Sequence, residues 1–260
     1  MPLTAIRAAT QEIVEAFDIT PERWRDMQNE PVGSYLVRRS GLPAILKKNQ
    51  AGTQWFSARP GEADPAWKPT SIEHEFAQVQ LVKALRSIGI SARLEEPGHT
   101  PTGERWEADV FFEHAGRNIA IEVQLSQQTM DEYERRSEKY LKSGVKVVWL
   151  INSRHFESYS IGCVASNGRK LGNGSIGPIL NGEQHHRRFP GFPLTFNCPK
   201  GFPTVDATTV TVYLPPDGWP VKKLSLRDFA VGLANGALIQ TQGKFWTWTT
   251  VRPKAVFQNI

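Results

Sequence analysis

Apolar positions in this chain fall into short runs set off by glycine and polar clusters, and the most informative pair lies between Arg105 and Gln124. Val110-Phe111-Phe112 predicts one buried strand and Ile119-Ala120-Ile121 a second, with Ala115-Gly116-Arg117-Asn118 as the turn of a hairpin. Helical periodicity flanks this hairpin. Phe76, Val79, Val82 and Leu85 share one face of a helix over about Ser71 to Ser87, with Ser71 as its cap. A second helix runs from about Thr129 to Lys142 and leads into the apolar strand Val145 to Ile151. The predicted order is helix, strands, helix, strand.

Before this block, Ile6, Ile13, Val14 and Phe17 recur at helical spacing and predict an amphipathic helix over Ala5 to Phe17. Thr20-Pro21-Glu22 starts another short helix through a cap and a first-turn proline. Tyr35-Leu36-Val37, Ala44-Ile45-Leu46 and Thr53-Gln54-Trp55-Phe56 predict a small meander, and Gly61 to Thr70 a linker. After the block, Asn167 to Gly177 reads as a loop without the order of a phosphate-binding P-loop. His185-His186-Arg187-Arg188, followed by Phe189, Phe192 and Phe196, is either a phosphate-contacting loop with aromatics for base stacking or a basic turn before an aromatic core strand. Val210 to Leu214 predicts a half-buried strand, Ser225 caps a helix to about Ala234, and Phe245 to Trp248 predicts a final strand. Trp246 and Trp248 share one face of it, either to stack on nucleotides or to close a small core.

The chemistry begins with two acids. Asp109 opens the first hairpin strand and Glu122 follows the apolar triplet of the second, so antiparallel pairing brings both carboxylates to one end. Carboxylates converging on a buried sheet repel each other and lose hydration unless a cation lies between them, and such oxygen-rich sites suit Mg²⁺ or Mn²⁺. The plainer alternative is that both acids end strands where strand ends are solvated.

An Asp followed a strand-length later by Glu-x-Lys, in an αβββαβ order, resembles the PD-(D/E)XK nuclease superfamily, and Asp109 with Glu122-Val123-Gln124 matches it with Gln in the Lys place. More narrowly, the chain resembles the competence protein CoiA-like family. That match rests on Ser71-Ile72-Glu73-His74, Ala108-Asp109-Val110, Ile119-Ala120-Ile121-Glu122-Val123-Gln124-Leu125-Ser126, Arg136 with Tyr140, and Val147-Val148-Trp149-Leu150-Ile151. It implies an α/β protein with a restriction-endonuclease-like core over residues 71–164. A small helix-plus-meander module with its linker precedes the core at 1–70, and a basic α+β module follows at 165–260. The implied activity is Mg²⁺- or Mn²⁺-dependent hydrolysis of phosphodiester bonds in DNA.

Within that resemblance Asp109 and Glu122 are metal ligands, the Val123 carbonyl a further ligand, and Gln124 the positioner of the attacking water. Glu73 on the first core helix is favoured over Glu75 as an additional site residue, and His74 contacts the scissile phosphate or orients a carboxylate. Arg136, with Tyr140, holds a DNA phosphate or buttresses the site, and His186, Arg187 and Arg188 are further nucleic-acid contacts. Gln124 can donate and accept hydrogen bonds but lacks the charge of a lysine, which shifts more of the work to metal. The alternatives are a DNA-binding module of the same fold without chemistry, and an RNase. Asp109, Glu122 and Gln124 together favour the enzyme, because acids placed beside phosphates only repel them in a pure binder.

Composition narrows the setting. Forty per cent of the 260 residues are hydrophobic. No run approaches the roughly 18 apolar residues of a membrane span, and the N-terminal segment lacks signal-peptide character, so a cytoplasmic protein without membrane partners is expected. The first segment stands where CoiA-like proteins resemble a cysteine- and histidine-bearing module. Here the counterpart of its Phe-Ala-His motif is Phe56-Ser57-Ala58-Arg59, and with no cysteine before Cys163 and no histidine before His74 it cannot hold zinc. Cys163 and Cys198 form no CxxC pair and read as buried free thiols. Lys and Arg number 9 against 8 acids over residues 1–70, 11 against 14 over 71–164, and 11 against 4 over 165–260. An acidic centre beside a basic end suits a metal in one place and a polyanion in another.

Overall fold

A left-handed backbone at Gln11 (φ 59°) turns the chain back near its start, and β1 (Thr4–Arg7) pairs antiparallel with β2 (Ile13–Glu15). The segment predicted as a helix over Ala5 to Phe17 is therefore a hairpin running into a single 3-10 turn, Ala16–Asp18. The reason is tertiary. Ala5 is completely buried and pairs with Val14 on one side and Val37 on the other, so long-range strand pairing overrides an apolar spacing that also fits a helix. The computed structural model describes residues 2–38, 40–49, 52–59, 61–62, 71–170, 189–197, 203–215, 221–241 and 245–249. The chain divides into two compact units, Met1–Glu75 and Phe76–Ile260.

In the first unit, α1 (Pro21–Gln28) starts as predicted, with the Thr20 hydroxyl accepting the Arg23 N–H at 3.3 Å. β3 (Tyr35–Val37) joins β1, whereas β4 (Ile45–Lys48) and β5 (Gln54–Ser57) form a hairpin of their own, so the expected meander is split between two sheets. Trp24 and Phe56, both fully buried with ring centroids 5.1 Å apart, centre the core of this unit.

The division between units falls within α2 (Ile72–Arg86), whose Ser71 hydroxyl accepts the His74 N–H at 3.3 Å. It is followed by β6 (Ala92–His99), β7 (Arg105–His114), β8 (Arg117–Gln124), α3 (Met130–Lys142), β9 (Val145–Asn152) and α4 (Ser153–Lys170). From α2 to β9 the order is αβββαβ. The β7–β8 turn is tighter than the sequence suggests: only Ala115 (φ 50°) and Gly116 (φ 70°) form it, and His114 already pairs with Arg117. Positive φ at both positions gives the twist that matches the flanking strands.

The chain continues through β10 (Gly191–Phe196), β11 (Thr208–Tyr213), β12 (Val221–Ser225), α5 (Leu226–Ala234), β13 (Leu238–Thr241) and β14 (Phe245–Trp248). β6 to β12 make one seven-stranded sheet in the order β12-β11-β10-β9-β8-β7-β6, with β8, β9 and β10 parallel. The sheet therefore continues past residue 164, with β10 to β12 extending the part built by β6 to β9. β9 is buried along Val147 to Ile151 and needs a paired neighbour on each edge, which β8 and β10 supply. Trp248 is 5% exposed and stacks on Phe229 with centroids 5.0 Å apart, so it closes a core; Trp246 is half-buried.

Residues 63–70 of the expected linker, 171–177 of the expected loop, His185 to Arg188 and Cys198 lie outside the described residues. Asn167 to Lys170, expected in that loop, instead extend α4. Cys163 is a buried free thiol. Among the described residues no helix is long and apolar enough to cross a membrane.

Candidate active site

Pairing of β7 with β8 runs from His114↔Arg117 to Val110↔Ile121 and stops there, one step short of Asp109 and Glu122. On the other side of β7 the ladder with β6 is also interrupted at this level, between Leu94↔Val110 and Glu96↔Ala108. The intervening Glu95 sits in the left-handed region at φ 47°, a costly conformation for a residue with a side chain. Trp106, Ala108 and Phe111 all pack in one cluster, so side-chain alternation slips by one residue across Asp109. Such local distortions re-aim a side chain. At Asp109 the result is a carboxylate held at both oxygens: Gln78 Nε2 donates to Oδ1 at 2.8 Å and the Val123 N–H to Oδ2 at 2.7 Å.

Glu122 is held differently. Its side chain is 1% exposed, and it accepts from the Arg136 guanidinium at Oε2 and from the Tyr140 hydroxyl at Oε1, both through close contacts. Arg136 also donates to Gln124 Oε1 at 3.1 Å and Gln128 Oε1 at 3.3 Å, and lies over the Trp149 ring 4.6 Å from its centroid. Ser137 takes the Trp149 indole N–H at 3.0 Å and so fixes that ring. Gln124 donates through Nε2 to the Ser126 carbonyl at 3.0 Å and hydroxyl at 2.9 Å, so both ends of its amide are engaged.

The electrostatics tie the two acids together. Burial opposes the Arg136 charge, but the fields of Glu122 and then Asp109 outweigh it and hold its pKa above that of a free guanidinium. Burial, followed by the Glu122 and Asp109 charges, pushes the Tyr140 phenol far above its ordinary range. One guanidinium and one phenol thus feel both carboxylates.

On α2, Glu75 is 4% exposed and Glu73 half-buried. At about 100° per residue, Glu75 and His74 lie about 60° and 40° from Gln78 round the helix, and Glu73 about 140° away. Glu75 and His74 therefore share the face of the residue that bonds Asp109, while Glu73 turns from it. Gln78 escaped the sequence reading, although its spacing of three and four residues from Glu75 and His74 is the signal that marks it. Gln128 had no such signal, because it stands on a loop whose path follows from the packing of α3.

Among the described residues no three Asp, Glu, His or Cys side chains cluster closely enough to hold a metal by themselves. Two carboxylates are nevertheless a fitting donor set for Mg²⁺ or Mn²⁺, which take one or two protein carboxylates and fill the remaining positions with water and substrate phosphate.

Residues 70–166 match the family model described as "Competence protein CoiA, nuclease-like domain". The segment is CoiA-like. This CoiA-like segment contains α2, β6 to β9, α3 and most of α4, and with them Asp109, Glu122, Gln124, Arg136 and Tyr140. No curated protein matches the chain. Among solved structures, a crystal structure titled as a protein of unknown function, AF1548, is similar at 17% identity and a TM-score of 0.27, over 36% of this chain and 55% of that one. The chain thus spans little more than half the length of that protein.

Proposed function

We propose that the CoiA-like segment is the core of a PD-(D/E)XK-type, divalent-metal-dependent nuclease that hydrolyses phosphodiester bonds in DNA. The observation that supports this reading is the pair Asp109 and Glu122, each one step past the last β7–β8 pair, with Arg136 and Tyr140 feeling the charge of both. The αβββαβ order from α2 to β9 supports it. Asp109 and Glu122 would hold the cation, with the Val123 carbonyl as a further donor. A bound divalent cation supplies an acidified water and charge neutralisation at the phosphate.

The protein's own groups do the rest. Gln78 and the Val123 N–H orient Asp109. Arg136 holds Glu122 and Gln124 in one plane of hydrogen bonds and brings the positive charge that Gln124 lacks. Its role is buttressing rather than phosphate contact, because Glu122, Gln124 and Gln128 already engage it. Gln124 would position the attacking water through the second lone pair of Oε1, its amide hydrogens being taken by Ser126.

A second reading, a DNA-binding module without chemistry, is favoured by one observation: Glu122 is already neutralised by Arg136. The deciding experiment is cleavage of single-stranded DNA, duplex DNA and RNA by the full chain with Mg²⁺, Mn²⁺ or EDTA, beside Asp109→Asn and Glu122→Gln. Metal-dependent cutting of DNA that both variants lose supports the nuclease. DNA binding with no cutting by the parent protein selects the binding module, and cutting confined to RNA replaces the substrate.

A further inference from the structure

With Arg136 turned inward, the backbone of a substrate at this site needs another cation. Those nearest on α3 are engaged: Arg135 pairs with Glu132 at 2.6 Å, Lys139 donates to the Arg105 carbonyl at 3.0 Å, and Lys142 lies 3.5 Å from Glu104. Lys146 is at the start of β9, the end of the sheet away from the acids. Arg154 differs from all of these. It is exposed, and its guanidinium makes no hydrogen bond, ion pair or ring contact among the described residues.

Its place in the fold follows from strand direction. β8 and β9 run parallel with Gln124 opposite Ile151, so the chain leaving β9 emerges at the same sheet edge as Gln124, one strand spacing of about 5 Å over. Asn152 accepts the Arg154 N–H through Oδ1 at 3.0 Å and so fixes the first turn of α4 there. That turn holds no acid, and the N-terminal end of a helix of 18 residues adds partial positive charge to the guanidinium. Glu157, one turn along, is exposed and forms no ion pair with Arg154. Carboxyl-terminal ends of adjacent parallel strands are where open α/β sheets take their ligands.

We propose that Arg154 is a phosphate-backbone contact for a DNA strand laid across the carboxyl ends of β8 and β9, next to the Asp109–Glu122 pair. The placement rests on the nuclease reading; the contact itself requires binding and not cutting. The test is binding of a fluorescein-labelled oligodeoxynucleotide to the full chain in EDTA, by anisotropy over a series of NaCl concentrations, for the parent, Arg154→Ala, Arg154→Glu and Arg154→Lys. A direct phosphate contact predicts that Arg154→Ala weakens binding about tenfold at low salt and lowers the slope of log K against log salt by about 1, while Arg154→Lys keeps the slope. Circular dichroism melts that coincide with the parent establish that the variants are folded, as expected for an exposed side chain. Unchanged affinity and slope in both Arg154→Ala and Arg154→Glu overturn the contact and leave the nuclease reading intact if the parent cuts. A slope lowered in Arg154→Ala, with a parent that never cuts, supports the contact and overturns the nuclease reading. A parent that binds no DNA at any salt overturns the contact outright.

Discussion

Replacing Arg136 with Met tests how the site is held together. The change strands a carboxylate that is 1% exposed, and removing one partner of a buried ion pair costs about 3–5 kcal/mol. Glu122 has an escape, because it can take a proton. From an ordinary glutamate value near 4.3, protonation at pH 7 costs about 1.4 kcal/mol for each of roughly 2.7 units, or about 4 kcal/mol, which caps the charge penalty. Loss of the guanidinium from the Trp149 face, 4.6 Å from its centroid, adds about 0.5–1 kcal/mol. The cap depends on pH: at pH 5 the same protonation costs about 1 kcal/mol. In the variant the Glu122 pKa is raised in the folded state, so stability is present below about pH 4.3 and is lost as pH rises, until the cap or the rest of the fold gives way. Arg136→Met should therefore lose about 4 kcal/mol at pH 7 and about 2 kcal/mol at pH 5, and adding Glu122→Gln should recover about half of the loss at pH 7. Urea midpoints followed by circular dichroism at pH 5, 6, 7 and 8, with unchanged m, measure this. A loss independent of pH, or a double variant whose cost equals the sum of the singles, would show that the pair packs without electrostatic coupling.

Three further outcomes are expected. Tyr133 and Tyr140 both have phenols raised by burial above the usual value near 10, so the stability they contribute is present below about pH 10 and lost above it; of the five tyrosines these two should stay silent at 295 nm until the protein unfolds, and five ionisations below pH 11 with native circular dichroism would contradict this. Gln78→Ala removes the 2.8 Å bond to Asp109 and should destabilise by about 1.5–3 kcal/mol, with Gln78→Glu worse because it sets a second carboxylate against Asp109; equal effects of both changes on the urea midpoint would argue against the bond. Ala115→Asn keeps the left-handed turn at lower cost than Ala and should stabilise by about 0.5–1 kcal/mol, whereas a lower thermal midpoint would mean the two-residue turn is misassigned.

The local elements were legible where one physical signal set them. Thr20, Thr129 and Ser225 each cap the helix they announce, with hydroxyls accepting the N–H three residues on. The apolar triplets of β7 and β8 mark the strands, and Asp109 and Glu122 mark the level at which those strands part. Ala5 to Phe17 failed because a third strand from a distant position, Tyr35–Val37, pairs with the hairpin there, and apolar spacing over a dozen residues fits a helix or a hairpin equally until a partner strand is known. The parallel pairing of β10 with β9 was hidden for a related reason: nothing local to Gly191 tells that it will pair with Trp149.

The site shows the same split. Sequence alone supplied the carboxylates, the glutamine between them and α3, and the Arg-x-x-x-Tyr spacing on that helix, because these depend on residue type and register. Only the folded chain decided that Arg136 faces Glu122 and Gln124 rather than solvent, that Gln78 grips Asp109, and that Arg154 is left exposed at the same sheet edge. Those facts depend on how a helix is rotated against a sheet and on which strands run parallel, and both are fixed by packing between segments far apart in the chain.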